Sequence, residues 1–279
     1  MVKTVTIVTI AADMHAEPFG TVYRVGAGPG ASDLLTLRAA RLLEQADIVF
    51  HDALVHADTL ALAPRAIKVA VGKRCGRLSS AQHFINKRLV DAARDHRVVV
   101  RLKGGDPMLF GRVQEEIDAL RVAGVPFEIV PGVTAALAAS AELETSLTRR
   151  GDAKNAGSRS VVFVTPRIAA GASESETRDA MRWIDAVNAA DTAVLYMASR
   201  DADRIAAALI AAGRKDSTPV ALVENASLSN AFVRVMTLEN LAREGLGVLE
   251  GPATLVLGEV VRLAVVVDAD RTEDRCKAA

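Results

Sequence analysis

V-Y-R-V-G-A-G-P-G, residues 22–30, decides the fold. A short β-branched run ends directly in a glycine-rich loop. Leu35, Ala39, Leu42, Leu43 and Ala46 then recur at helical spacing, with Ser32 or Asp33 as the expected N-cap. Strand, loop and helix in that order form the repeating unit of a parallel α/β sheet. The same unit recurs downstream. Strands are expected over 48–50, 67–71, 98–102 and 127–130, and helices over 81–95, 113–123 and 135–143.

The segment after each strand carries the chemistry. The five successors are Gly26 to Gly30, then His51 and Asp52, then G-K-R-C-G-R over 72–77, K-G-G-D-P over 103–107, and P-G-V-T over 131–134. In an open parallel sheet all the strand carboxyl ends lie on one rim, where ligands bind, so these loops should converge. The polar stretch 151–157 reads as a linker or mobile loop. Beyond it, strand-like runs at 161–164, 193–196, 220–223 and 254–257 alternate with alanine-rich helices, the pattern of a second α/β domain. The expected division is an extension over 1–21, α/β domains over 22–133 and 134–266 with the ligand cleft between them, and a polar tail over 267–279.

Composition narrows the function. The 34 basic residues balance 34 acidic ones, so no global charge attracts nucleic acid or an anionic membrane surface. The chain also has few aromatics for stacking on RNA bases. Cys75 and Cys276 have neither disulfide nor zinc spacing, and no metal-ligand cluster is evident; a reducing, cytoplasmic setting fits. The apolar run 5–12 is too short to span a membrane. Trp183, the other aromatics and the methionines read as core.

On the residues alone, Gly26 to Ala31 matches the looser dinucleotide fingerprint, with Asp47 or Asp52 about 20 residues on, where a ribose-binding acid is expected. A nicotinamide dehydrogenase is therefore one reading. The glycines also serve simply to turn the chain. Gly104-Gly105-Asp106-Pro107 adds a second loop of close backbone approach, whose Asp106 can accept from a ligand hydroxyl or amino group; two such loops describe a nucleoside pocket. The alternative is a tight turn closed by a capping aspartate.

The longer motifs carry a specific resemblance. V-G-A-G-P-G-A-S-D-L-L-T-L-R-A, V-G-K-R-C-G-R, V-V-R-L-K-G-G-D-P-M-L-F-G-R and P-F-E-I-V-P-G-V-T-A-A, in that order, resemble the tetrapyrrole methylase family and within it the uroporphyrinogen-III C-methyltransferase branch. The resemblance is strong from about 22 to 151. It continues more weakly through Y-M-A at 196–198 and P-V-A-L-V-E-N-A at 219–226. It implies a homodimeric enzyme of two α/β domains with S-adenosylmethionine between them, and a first glycine loop that is not a nicotinamide site. The implied cofactor contacts fall on Pro29, Gly104, Gly105, Asp106, Leu109, Thr134, Ala135, Met197 and Ala226. The implied proton acceptor is Asp52 and the implied proton donor is Lys73.

The implied reaction is C-methylation of uroporphyrinogen III to precorrin-2, through precorrin-1, for sirohaem or cobalamin synthesis. A methyl sulfonium is already activated, so transfer to a pyrrole carbon needs in-line positioning and the management of a proton. A substrate ringed by acetate and propionate groups would be met by basic side chains, and Lys73, Arg74, Arg77, Arg101, Lys103, Arg112, Arg149 and Arg150 lie at or beside the rim loops, about half of them expected to be solvated or structural. The chain departs from the branch at Leu78, usually histidine, at Val113 and Gln114, usually two glycines, and over 146–150, where S-L-T-R-R stands for P-L-T-H-R. These departures face the expected substrate side. Methylation of a later corrin precursor and a regulatory S-adenosylmethionine-binding role are the alternatives.

Overall fold

The computed structural model describes residues 19–71, 78–151, 157–166 and 181–264. The polar tail and most of the N-terminal extension lie outside the described residues, as does the 72–77 segment. Five parallel strands form the first sheet: β1 (Thr21–Gly26), β2 (Ile48–His51), β3 (Ile67–Ala70), β4 (Val98–Lys103) and β5 (Phe127–Val130), in the order β3-β2-β4-β1-β5. Its central strands are covered on both faces and read as nearly continuous apolar runs. One face packs Val25, Val49, Val100 and Leu102 against Ala39 and Leu43 of α1 (Leu37–Gln45). The other packs Val22, Phe50 and Val99 against Leu89 of α3 (Leu78–Asp95) and Leu120 of α4 (Val113–Val122).

The N-cap of α1 is Thr36, whose hydroxyl accepts the Ala39 N–H at 3.1 Å. Ser32 and Asp33, expected in that role, instead sit in a separate 3₁₀ turn over Ser32–Leu34. The short helix α2 (Ala57–Ala61) was not anticipated, because five residues carry too little periodicity to read.

The second sheet is mixed. Strands β6 (Val161–Val164), β7 (Thr192–Leu195), β8 (Pro219–Glu224), β9 (Phe232–Thr237) and β10 (Ala253–Leu257) run in the order β6-β7-β10-β8-β9. β6 and β7 are parallel, while β10 is antiparallel to both β7 and β8 and β9 is antiparallel to β8. Strand β9 is missing from the sequence reading: its residues are all at least partly exposed at the sheet edge, so no buried face marked it. Because β10 separates β7 from β8 and opposes both, β7 and β8 point the same way and their carboxyl ends share a rim. Helices α6 (Trp183–Ala189), α7 (Ala202–Ala211) and α8 (Leu238–Glu244) bury Trp183, Val187, Ile205, Leu209, Leu238 and Leu241 on one face. Helix α5 (Ala135–Glu142) covers the other, placing Ala136, Ala139 and Leu143 against Val194, Ala221 and Val256. The flanks of the 151–157 stretch meet, with Arg149 and Ser158 exchanging backbone hydrogen bonds of 2.7 and 2.8 Å; residues 152–156 lie outside the described residues.

Candidate active site

The loops after β1 and β4 are joined backbone to backbone, and the loop after β5 packs against both. Gly105 donates its N–H to the Gly28 carbonyl at 2.7 Å, and the Ala27 N–H reaches the Lys103 carbonyl at 2.7 Å. A Cβ on Gly132 would fall 2.4 Å from the Gly105 oxygen and 2.8 Å from the Gly26 Cα, so no larger residue fits there. Gly28 and Gly105 adopt φ of +72° and +67°, the left-handed region in which glycine pays no Cβ penalty. Among the described residues only the Thr134 Cα would come within 4 Å of a Cβ added at Gly105, so these residues leave that side of the loop open.

Asp106 holds this arrangement. Its Oδ1 accepts the Met108 N–H at 2.7 Å and its Oδ2 accepts the Gly132 N–H at 2.9 Å. The carboxylate thus ties the β4 loop to the β5 loop as well as closing its own turn. Each oxygen keeps a lone pair for a ligand donor.

Loops from the second sheet come down on the same rim. Tyr196, just past β7, places its hydroxyl 2.5 Å from the Thr134 hydroxyl and accepts the Ala136 N–H at 3.1 Å. Burial raises the pKa of this phenol, and with one acceptor site taken by Ala136 its own O–H is available to Thr134. Phe110 packs on the Tyr196 ring with centroids 5.2 Å apart. After β8, Ser227 accepts the Ala31 N–H at 3.0 Å while its own N–H donates to Glu142 Oε1 at 2.9 Å. A Cβ on Gly30 would meet the Leu228 side chain at 2.9 Å. Phe110, Arg112, Met197, Asn225 and Ser227, on the segments that follow β4, β7 and β8, all hold positive φ. Met197 and Met108 are about half exposed there, against the expectation that the methionines are core; Trp183 is core as expected.

Asp52, the expected proton acceptor, lies one strand over. Asp52 follows β2; its Oδ1 accepts the Leu54 N–H at 3.2 Å, and its Oδ2 lies 3.9 Å from Lys103 Nζ at the end of β4. A Cβ on Gly104 would touch the Leu54 Cβ at 3.0 Å, so the Asp52 turn abuts the second glycine loop. Burial first, then Arg101, lowers the Lys103 pKa to about 8. Lys73, Arg74 and Arg77 lie outside the described residues. Asp47, the other candidate ribose acid, stands at the opposite edge of the sheet, accepting the Arg97 and Val98 N–H groups at 3.0 and 2.8 Å. It cannot serve the glycine loop.

The remaining basic residues divide by environment. Arg101 is buried, donates to the Phe50 and Leu102 carbonyls, and lies 3.5 Å from Glu116. Arg112 is half exposed and grips Glu115 through two 2.8 Å bonds. Arg149 and Arg150 are exposed. The sequence reading missed the part played by Tyr196, Ser227 and Glu142, which join the two sheets. A weak signal existed in Y-M-A, but hydroxyl-to-loop bonds across 60 or more residues leave no periodicity. It also missed that Lys103 faces Asp52, since strand pairing brings them together. Among the described residues no group of His, Cys, Asp and Glu could hold a metal ion, and no helix is long and apolar enough to cross a membrane.

Comparison with known proteins supplies relatives. Residues 21–242 match the model of the family described as Tetrapyrrole (Corrin/Porphyrin) Methylases. The chain is 45% identical over 246 residues to a siroheme synthase of Psychrobacter cryohalolentis, covering 88% of this chain and 45% of that protein. It spans about half the length of the siroheme synthases it matches. A Thermus thermophilus uroporphyrin-III C-methyltransferase complexed with S-adenosylhomocysteine superposes with a TM-score of 0.74 at 39% identity, covering 88% of this chain and all of that one. A cobalt precorrin-4 methyltransferase of cobalamin biosynthesis superposes at 0.68 with 27% identity over 86% of this chain and 95% of that one.

Proposed function

Because the chain belongs to the tetrapyrrole (corrin/porphyrin) methylase family, we propose that it carries methyl groups from S-adenosylmethionine to pyrrole carbons of uroporphyrinogen III, yielding precorrin-2 through precorrin-1 for sirohaem or cobalamin synthesis. The observation that carries this reading is the likeness, at 39% identity, along the full length of the Thermus uroporphyrin-III methyltransferase. The residues present suit the cofactor. An open Gly105 face, a carboxylate with spare lone pairs at Asp106, and half-exposed Met108 and Met197 make a partly apolar cradle for a nucleoside and a sulfur-bearing chain.

The cofactor supplies an activated methyl group on a sulfonium. Pro29, Gly104, Gly105, Asp106, Leu109, Thr134, Ala135, Met197 and Ala226 hold it, with the loops from both sheets fixing its direction. These residues are largely loop backbone, which reorganises little, so they would also set the direction in which a bound methyl donor faces its acceptor. Asp52 would take the proton that each methylation releases, and Lys73 would lend a proton elsewhere on the macrocycle and recover it, or hold a substrate carboxylate, so that one proton is lost per methyl gained. The chain divides at residues 133 and 134 into two α/β domains, a reading supported by α5 packing on the second sheet. It works as a cytoplasmic homodimer, as the family resemblance implies; light scattering at micromolar concentration tests the dimer.

Anaerobic incubation with uroporphyrinogen III and S-adenosylmethionine, followed by mass analysis, should show a product two methyl groups heavier. A substrate that stays unmethylated while a later corrin precursor gains one methyl would replace this assignment. Asp52→Asn should keep cofactor affinity and lose turnover by a factor on the order of 10² or more.

A further inference from the structure

Lys103 ends β4 with a side chain only 14% exposed, and its ammonium faces Asp52 across the β2–β4 pairing at 3.9 Å. Among the described residues, the other charged groups on that face of the sheet lie behind or beside it. Arg24 and Arg101 are direct register partners on β1 and β4, both buried, and both turned to Glu116 on α4. Arg88 of α3 stacks over the Phe50 ring, and Arg112 stands at the start of α4 engaged with Glu115. Glu116 is therefore already shared by two guanidiniums and cannot serve the lysine. The backbone of Gly111 closes the other side, where an added Cβ would lie 3.1 Å from the Lys103 Cε. Like charges to the rear and packing at the side leave Asp52 as the counter-charge within reach.

We propose that Lys103 is the positioning residue for Asp52: its ammonium orients the second carboxylate oxygen at the rim, while the Leu54 N–H fixes the first, so that proton abstraction depends on the Lys103 charge. This rests on the reading of Asp52 as proton acceptor. The ammonium is held in a setting that favours its loss, since burial and the neighbouring guanidiniums of Arg101, Arg24 and Arg112 oppose the charge and, among the described residues, Asp52 alone supports it. The positioning charge therefore disappears at moderately alkaline pH.

The test combines titration of the ligand-free protein with kinetics. In protein carrying ¹³C-labelled lysine, one ε-carbon resonance should titrate with a midpoint near pH 8; it should be missing in Lys103→Arg and move to lower pH in Asp52→Asn, which removes the supporting carboxylate. Turnover should have an alkaline limb at the same midpoint. Lys103→Met should lower kcat roughly tenfold or more, with the KM for uroporphyrinogen III and the affinity for S-adenosylhomocysteine within about twofold of wild type. Lys103→Arg should restore most of the turnover and abolish the alkaline limb. A lysine set that titrates entirely above pH 10, or a midpoint indifferent to Asp52→Asn, would overturn the pairing. A raised KM at unchanged kcat in Lys103→Met would instead make this lysine a holder of a substrate carboxylate. Full turnover by Asp52→Asn would remove the proton-acceptor reading itself, and the resonance would still report whether the pair exists.

Discussion

The hydroxyl of Tyr196, from the second sheet, lies 2.5 Å from that of Thr134 and accepts the Ala136 N–H at the first turn of α5. One phenol thus sets the start of α5 and the end of the β5 loop, two elements on which cofactor contacts are proposed. Tyr196→Phe removes the oxygen and leaves the ring packing on Phe110 intact. We expect S-adenosylhomocysteine binding to weaken by ~1–2 kcal/mol, the cost of orphaning hydrogen-bonding partners in a part-buried site, with the fold retained. Calorimetric titration of Tyr196→Phe, Thr134→Val and the double variant should give non-additive losses. Additive losses would mean that the two hydroxyls act separately.

Glu116 is the buried acid that neutralises both Arg24 and Arg101, while Nε and Nη2 of Arg24 have no hydrogen-bond partner among the described residues. The two guanidiniums are not equivalent to the acid. Burial first, then Arg101, depresses the pKa of Arg24, a sign that its charge is poorly accommodated. Glu116→Gln should therefore cost ~3–5 kcal/mol by leaving two buried cations uncompensated, whereas Arg24→Met, which leaves the Arg101–Glu116 pair, should be neutral or stabilising. Urea unfolding of the two variants distinguishes them, and a large loss in Arg24→Met would show that Arg101 alone cannot satisfy Glu116.

Gly132 and Gly124 separate steric need from conformational need. Alanine at Gly132 would drive a methyl into the Gly105 carbonyl and the Gly26 Cα, backbone against backbone. Gly124 has φ of +69° but open space around it. Gly124→Ala should cost ~1–2 kcal/mol, the left-handed penalty for one residue. Gly132→Ala should cost ~1–3 kcal/mol or more from overpacking and should also weaken S-adenosylhomocysteine binding, because the three loops can no longer close on each other. Equal Tm losses with unchanged affinity in both variants would remove Gly132 from the loop junction.

Lys103 also links stability to pH. Its pKa is lowered in the folded chain from 10.5 to about 8, so between those values the unfolded chain binds the extra proton and folding stability rises with pH. Below about pH 8 both states are protonated and the folded state bears the full cost of the buried charge. Lys103→Met should accordingly be more stable than wild type at pH 7, by ~1–3 kcal/mol after allowance for lost packing. That advantage should shrink as pH climbs from about 8 toward 10.5. Denaturant midpoints for the pair at pH 7, 9 and 10.5 check the sign, and a difference that does not vary with pH would contradict it.

The sequence by itself determined the first sheet and the convergence of the loops that follow β1, β2, β4 and β5. Strands such as Val98–Lys103 are short β-branched runs followed directly by glycine, a local pattern that needs no distant information. Parallel pairing then brings all five carboxyl ends to one rim. Helix boundaries were close because 3.6-residue periodicity is also local, although the cap of α1 fell to Thr36, where the chain bends after a 3₁₀ turn that propensity does not foresee. Tertiary structure alone decided the rest. The edge strand Phe232–Thr237 exists because β8 offers it a partner, not because its own burial pattern demands a strand. Asp47 and Asp52 both lie roughly 20 residues beyond the glycine loop, yet they stand at opposite ends of β2, and only the carboxyl end shares a rim with that loop. The lysine opposite Asp52 and the tyrosine on Thr134 are set by strand register and sheet-to-sheet docking, interactions between residues 51 and 62 positions apart that no local pattern encodes.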